Sequence, residues 1–92
     1  MKASVELERQ VLDFTGALPP EPRRDFQRAL RQLEKGKGDV RPLRVGLEGY
    51  FRLRVMSYRV VFFRPEPLVI RYAFAERRRV VYEMYANLLA GG

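Results

Sequence analysis

The 92-residue chain contains no cysteine and no histidine. Their absence excludes disulfides, thiolate nucleophiles, zinc sites of the usual Cys/His kind and the imidazole general base. Lysine is scarce, standing only at Lys2, Lys35 and Lys37. No apolar run approaches the length of a membrane span, and Met1-Lys2-Ala3-Ser4-Val5-Glu6 lacks the apolar stretch of a secretory signal. A cytoplasmic protein without a membrane partner, folded as one domain over residues 1–92, is therefore expected.

What the chain has instead is arginine, and the arginine is clustered. Residues 1–40 hold eight Lys/Arg against seven Asp/Glu, residues 41–79 hold ten Arg against three Glu, and residues 80–92 hold only Glu83. The whole net charge of +7 is thus the excess of the middle segment. A general preference for Arg over Lys, set by genome composition or a warm habitat, accounts for the residue type but not for the clustering. The planar guanidinium fork suits phosphate, so a polyanion, nucleic acid in particular, is the expected partner.

Apolar spacing divides the chain. Leu7, Val11, Phe14 and Leu18, with Leu12 widening the stripe, recur at helical spacing; Pro19-Pro20 ends that helix and Glu21-Pro22 begins another. Phe26, Ala29, Leu30 and Leu33 form the second apolar face, Arg24, Arg28 and Arg31 point outward, and Gly36 and Gly38 close a helical hairpin. A run from about Lys2 to Val5 offers only a weak extra strand. From Leu43 the period becomes 2. A turn at Met56-Ser57 sets Val55 opposite Tyr58, Arg54 opposite Arg59, Leu53 opposite Val60 and Arg52 opposite Val61. A second turn at Pro65-Glu66-Pro67 sets Arg64 opposite Leu68, Phe63 opposite Val69, Phe62 opposite Ile70 and Val61 opposite Arg71. One face then carries Phe51, Leu53, Val55, Tyr58, Val60, Phe62, Leu68, Ile70, Tyr72 and Phe74 and lies on the helices. The other carries Tyr50, Arg52, Arg54, Arg59, Val61, Phe63, Val69, Arg71 and Ala73. After Glu76 the helical period returns with Val81, Met84, Tyr85 and Leu88. The expected architecture is α+β: an N-terminal helical hairpin on one face of a twisted antiparallel sheet of three to four strands, with a C-terminal helix.

Arg54 opposite Arg59, with Arg52 and Arg71 nearby and no carboxylate on that face, is an arrangement that an anion would stabilise. Alternatively the arginine stems simply cover Val61, Phe63 and Tyr50. Tyr50 and Phe63 can stack on bases, or can pack beneath the last helix. Arg77, Arg78 and Arg79 oppose the positive end of that helix, which points to an anion there or to a solvated loop.

The run Gly49-Tyr50-Phe51-Arg52-Leu53-Arg54-Val55-Met56-Ser57-Tyr58-Arg59-Val60-Val61-Phe62, followed later by Arg77-Arg78-Arg79-Val80-Val81-Tyr82, resembles the RelE/ParE superfamily of bacterial toxins from toxin–antitoxin pairs. The resemblance extends over nearly the whole chain and includes the order of elements. Its RelE branch implies an endoribonuclease without metal or cofactor that cuts mRNA on the ribosome and is neutralised by a cognate antitoxin. Its ParE branch implies a gyrase-directed poison without nuclease activity; a non-catalytic nucleic-acid-binding module is the third reading. By resemblance Arg52 and Arg54 match the paired basic residues of the first hairpin strand, Arg59 the arginine after an aromatic, Arg78 or Arg77 the arginine before the last helix, and Tyr82 its tyrosine. The chain departs from the pattern in its short first strand, its Met-Ser turn where glycine is common, and its use of arginine at both paired positions.

Cleavage through a ribose 2′-OH needs a proton acceptor, charge stabilisation and help for the 5′-oxygen. Arg52, Arg54, Arg59 and Arg78 can hold and neutralise phosphate, but arginine cannot act as a base. Tyr82, acidified by neighbouring guanidinium charge, is the first candidate for that role. Tyr85, Glu76 and Glu83 rank behind it, and Tyr50, Arg71, Arg77 and Arg79 are expected RNA contacts.

Overall fold

The alternation from Tyr50 to Phe63 folds as its spacing predicts. The computed structural model describes residues 3–43 and 46–91, the last seven of these as backbone. In chain order the elements are β1 (Ser4–Leu7), α1 (Arg9–Ala17), α2 (Pro20–Glu34), β2 (Asp39–Pro42), β3 (Tyr50–Val55), β4 (Tyr58–Glu66), β5 (Val69–Arg77) and α3 (Arg78–Gly91). They form a five-stranded sheet in the order β1-β5-β4-β3-β2. The architecture is α+β as expected, but the sheet is mixed, because β1 runs parallel to β5 while the other pairs are antiparallel. Among the described residues no helix is long and apolar enough to cross a membrane.

The helical hairpin is built by local chemistry. Pro20 and Pro22 occupy the first turn of α2, where a missing N–H costs nothing. Arg23 reaches back and donates to the carbonyls of Leu18 (2.8 Å) and Gly16 (3.2 Å), satisfying acceptors left at the end of α1. At the other end Gly36, at φ +81°, lets its own N–H reach the Leu33 carbonyl and that of Lys37 reach the Gln32 carbonyl, which terminates α2. Phe26, Leu30 and Leu33 are buried against the sheet, as the stripe predicts. The first stripe holds only in part. Leu7 belongs to β1, and Leu12 is 51% exposed, so the face of α1 narrows to Val11 and Phe14. Glu8 accounts for this, since it stands at the strand-to-helix junction and breaks the apparent helical register. The weak strand expected from about Lys2 is Ser4–Leu7, and Lys2 itself lies outside the described residues.

The Met56-Ser57 turn pairs Val55 with Tyr58, Arg54 with Arg59, Leu53 with Val60 and Arg52 with Val61, all as expected. The second turn is corrected. β4 continues through Pro65 to Glu66, which faces Val69, so the tight turn is Pro67-Leu68. Pro65 has no N–H for the ladder and sits in an irregular stretch between Phe63 and Glu66. Phe63 therefore faces Arg71 and Phe62 faces Tyr72, and Leu68 is 53% exposed on the turn rather than in the core. A further irregularity follows, for Val61 faces Phe74 and Val60 faces Ala75. Between Tyr72 and Ala75 the chain advances three residues for one step of the core face. This is a bulge, and it carries Phe74 to the face opposite the helices, against the expectation.

The core lies between the helical hairpin and one face of the sheet. Phe14 packs on Phe26 and on Tyr58, at centroid distances of 5.6 and 5.3 Å, tying both helices to the start of β4. Tyr72 is fully buried and donates its hydroxyl to the Leu30 carbonyl at 3.0 Å. Burial pushes the Tyr72 phenol well above its ordinary value of 10. Its contribution to stability is then complete below pH 10 and fades as pH rises above that, because the unfolded phenol ionises first. Tyr72→Phe is expected to cost about 1 kcal/mol at neutral pH and to flatten the alkaline loss of stability, both read from denaturant midpoints across pH.

Gly38 has φ +137°, and a Cβ there would meet Leu53 Cδ1 at 2.8 Å. Leu53 is wholly buried and cannot retreat. Gly38→Ala is expected to destabilise by about 1–3 kcal/mol, visible as a lowered thermal midpoint.

Candidate functional site

Arg52 and Arg54 alternate along β3 on the face away from the helical hairpin. Register sets Arg41 of β2 opposite Arg52, and Arg59 of β4 opposite Arg54. Four guanidinium side chains therefore start from adjacent positions on three strands, with facing Cβ atoms about 5 Å apart. Carboxylates share the face, contrary to expectation, and two of them stand beside these arginines. Asp39 faces Arg54 and reaches it at 4.0 Å, a long and exposed pairing, while Glu76 faces Arg59. Asp39 and Arg41 lie in a strand of four residues, all exposed, with one β-branched residue, and the sequence pattern passes over it.

Arg59 is the one buried charged residue among those described, at 5% exposure. Its Nη1 donates to the carbonyls of Met56 (3.1 Å) and Tyr58 (2.8 Å), so the guanidinium is folded back onto the hairpin turn. Met56 adopts φ +55°, a left-handed conformation that a two-residue hairpin turn demands and glycine or asparagine would meet with less strain. The carbonyl between these two, that of Ser57, accepts the backbone N–H of Arg78 at 2.9 Å. The same turn thus fixes Arg59 and the start of α3.

Tyr82 follows Arg78 by one helical turn, and the Arg78 guanidinium lies 5.2 Å from its ring centroid. Tyr82 is solvent-accessible, and its phenol is held below its ordinary pKa of 10. A hydrogen bond from Arg78 is the main cause, supported by one from Arg59 and by the charges of Arg52 and Arg59. Arg52, Arg59 and Arg78 therefore all act on Tyr82. Arg78, Arg79, Tyr82 and Glu83 line an open groove of about 440 Å³ beside it. Two buried donors, Arg52 Nη1 and Arg59 Nε, have no hydrogen-bond partner among the described residues. Buried guanidinium N–H groups of this kind are costly unless an acceptor meets them.

The remaining sequence candidates fall elsewhere or at the margin. Arg77 is exposed at the end of β5, and its backbone N–H donates to Glu76 Oε2 at 3.1 Å. Arg79 is exposed and pairs with Glu83 at 3.3 Å. Arg71 is engaged by acids of the N-terminal segment. Its Nε donates to Glu8 Oε1 at 2.7 Å, its Nη2 bonds the same oxygen, and its Nη1 reaches Glu6 at 3.2 Å. Tyr50 packs against Phe63, tilted with ring centroids 5.1 Å apart, and lines an apolar cavity of about 220 Å³ with Val61, Ala73, Phe74 and Met84. The Tyr85 side chain lies outside the described residues.

No protein-family model matches the chain, and no curated protein sequence matches it. Solved structures do. A chain of the RelBE2 toxin–antitoxin complex from Mycobacterium tuberculosis superposes with a TM-score of 0.71 at 21% identity, over 85% of this chain and 100% of that one. A chain of the archaeal RelE–RelB complex from Pyrococcus horikoshii gives 0.66 at 26% identity, over 85% and 97%. A chain of the RelB–RelE complex from Methanococcus jannaschii gives 0.67 at 15% identity, over 86% and 96%. The chain thus shares the fold of chains found in RelE–RelB toxin–antitoxin complexes.

Proposed function

We propose that the chain is the toxin of a toxin–antitoxin pair and acts as an endoribonuclease on mRNA held in the ribosome, until a cognate antitoxin neutralises it. The observation that carries this reading is the pair of buried, unpartnered donors on Arg52 and Arg59 beside an acidified Tyr82. Donors without acceptors suit a phosphate, and a phenol with a lowered pKa suits a proton acceptor.

In this chemistry Arg52, Arg54 and Arg59 hold the scissile phosphate, and their charge stabilises the phosphorane. The Tyr82 phenolate takes the 2′-hydroxyl proton. The 2′-oxygen attacks phosphorus, the bond to the 5′-oxygen breaks, and a 2′,3′-cyclic phosphate and a 5′-hydroxyl result, the latter taking its proton from solvent. Arg41 adds charge at the edge of the site, and Arg77 and Arg79 contact the RNA backbone on either side. The ribosome supplies the in-line placement of the strand, which relieves a small open site of that task.

Purified protein added to programmed ribosomes is expected to cut mRNA within codons, also in the presence of chelator. Tyr82→Phe should lower single-turnover cleavage about 10²–10⁴-fold. Arg78→Ala removes the main cause of Tyr82's acidity, so the rising limb of its pH–rate profile should move to higher pH. Absence of cleavage together with inhibition of gyrase supercoiling would select the ParE-like reading. Binding of RNA with neither activity would select the non-catalytic module.

A further inference from the structure

Strict alternation after Tyr72 would send Phe74 and Glu76 toward the helices and leave Ala75 and Arg77 on the arginine face. The bulge reverses this. Ala75 is buried in the core at 0% exposure, Glu76 faces Arg59, and β5 ends one residue before Arg78. The placement of Arg78 on the Ser57 carbonyl, and of Tyr82 one turn later, depends on that one-residue advance.

The bulge has a specific partner. β1 pairs with β5 only as far as Leu7 opposite Tyr72, after which Glu8 donates to the Tyr72 carbonyl and the chain turns into α1. Beyond that point no strand among the described residues lies on the β1 side of β5. There the Gln10 carboxamide takes over, accepting the Ala75 N–H on Oε1 at 2.8 Å and donating from Nε2 to the Ala75 carbonyl at 2.6 Å. A side-chain amide carries the same donor and acceptor as a peptide unit, so Gln10 extends the ladder by one residue at the bulge. An aspartate or glutamate offers no donor when ionised, and an apolar residue offers neither group.

We infer that Gln10 is a positioning residue for the arginine–tyrosine site: by clamping both main-chain groups of Ala75 it holds the β5 bulge in the one register that brings Arg78 and Tyr82 over Arg59. The inference rests on the reading of Arg78 and Tyr82 as working groups. Gln10 acts from the β1 edge of β5, through the strand.

The test is an NMR titration of ¹³C-tyrosine-labelled protein, with the Tyr82 signal assigned by its loss in Tyr82→Phe, alongside amide exchange at Ala75. Gln10→Leu is expected to accelerate Ala75 exchange, to move the Tyr82 titration toward the ordinary phenol value, and to lower kcat for mRNA cleavage about tenfold with little change in KM. Val11→Ala, which empties part of the core from the same helix, should lower the melting temperature without moving the Tyr82 titration. If Gln10→Leu does not fold, Gln10→Asn keeps the amide but withdraws it by one methylene and is expected to shift Tyr82 in the same direction. A Tyr82 titration unchanged by the substitution, or one moved equally by Val11→Ala, overturns the inference. Because the titration needs no RNA, it decides the role of Gln10 even if the unaltered protein cuts nothing, an outcome that would instead sink the proposed function.

Discussion

Three consecutive main-chain carbonyls, those of Met56, Ser57 and Tyr58, hold the site together. The outer two accept the Arg59 guanidinium, and the middle one accepts the N–H that opens α3. A left-handed Met56 costs about 1–2 kcal/mol, and burying the Arg59 charge costs several more. Each charge-assisted bond to a carbonyl returns about 1.5–3 kcal/mol. The turn is in turn braced from the other face, where Tyr58 packs edge-on against Phe14 and Phe26 of the helical hairpin. The N-terminal helices thus anchor a turn whose backbone positions an arginine from β4 and a helix from the far end of the chain.

Cations dominate the face that this turn borders. Arg41, Arg52, Arg54 and Arg59 stand in adjacent register, and Arg78 opens α3 where the helix dipole disfavours positive charge. Asp39 offsets Arg54 only at 4.0 Å and in solvent, a geometry worth little. Arg71, by contrast, is neutralised at short range by Glu8 and Glu6 and helps join β1 to β5. Position in the fold separates structural from surplus charge. Arg71 binds acids of its own chain, while Arg52 and Arg59 retain buried N–H groups with no acceptor among the described residues.

Most of this was legible in the residues. Alternation and the two-residue gap located the β3–β4 hairpin with every pair correct, because one face of each strand is uniformly apolar and a one-residue slip would bury arginine. The helical faces of Phe26, Leu30 and Leu33 were equally plain. Legibility failed where the period breaks. The bulge between Tyr72 and Ala75 leaves no mark in an apolar run such as Ile-Arg-Tyr-Ala-Phe-Ala, since alanine and phenylalanine suit either face. Pro65-Glu66-Pro67 looks like a turn by composition, yet the chain uses only the second proline for it. β2 is too short and too polar to be read, which hid Arg41 and the carboxylate of Asp39. Gln10 carried no signal at all, because its value lies in matching a strand 65 residues away.

A site without histidine or lysine places two demands on one set of arginines. Under the proposed chemistry they bind an anion and keep a phenol acidic; these compete, because a bound phosphate screens the charge that lowers the phenol's pKa. The geometry separates the two tasks. Arg78 is the main cause of Tyr82's acidity, and it acts through a hydrogen bond and a cation lying over the ring from within the same helix. Arg52 and Arg59 are the ones whose buried donors have no partner among the described residues. An anion seated on those donors leaves the Arg78 hydrogen bond, the first cause of the lowered pKa, in place. Under the proposed chemistry, the base therefore stays acidified when the substrate is bound, and this follows from placing Arg78 on the helix with Tyr82 rather than on the sheet with the other arginines.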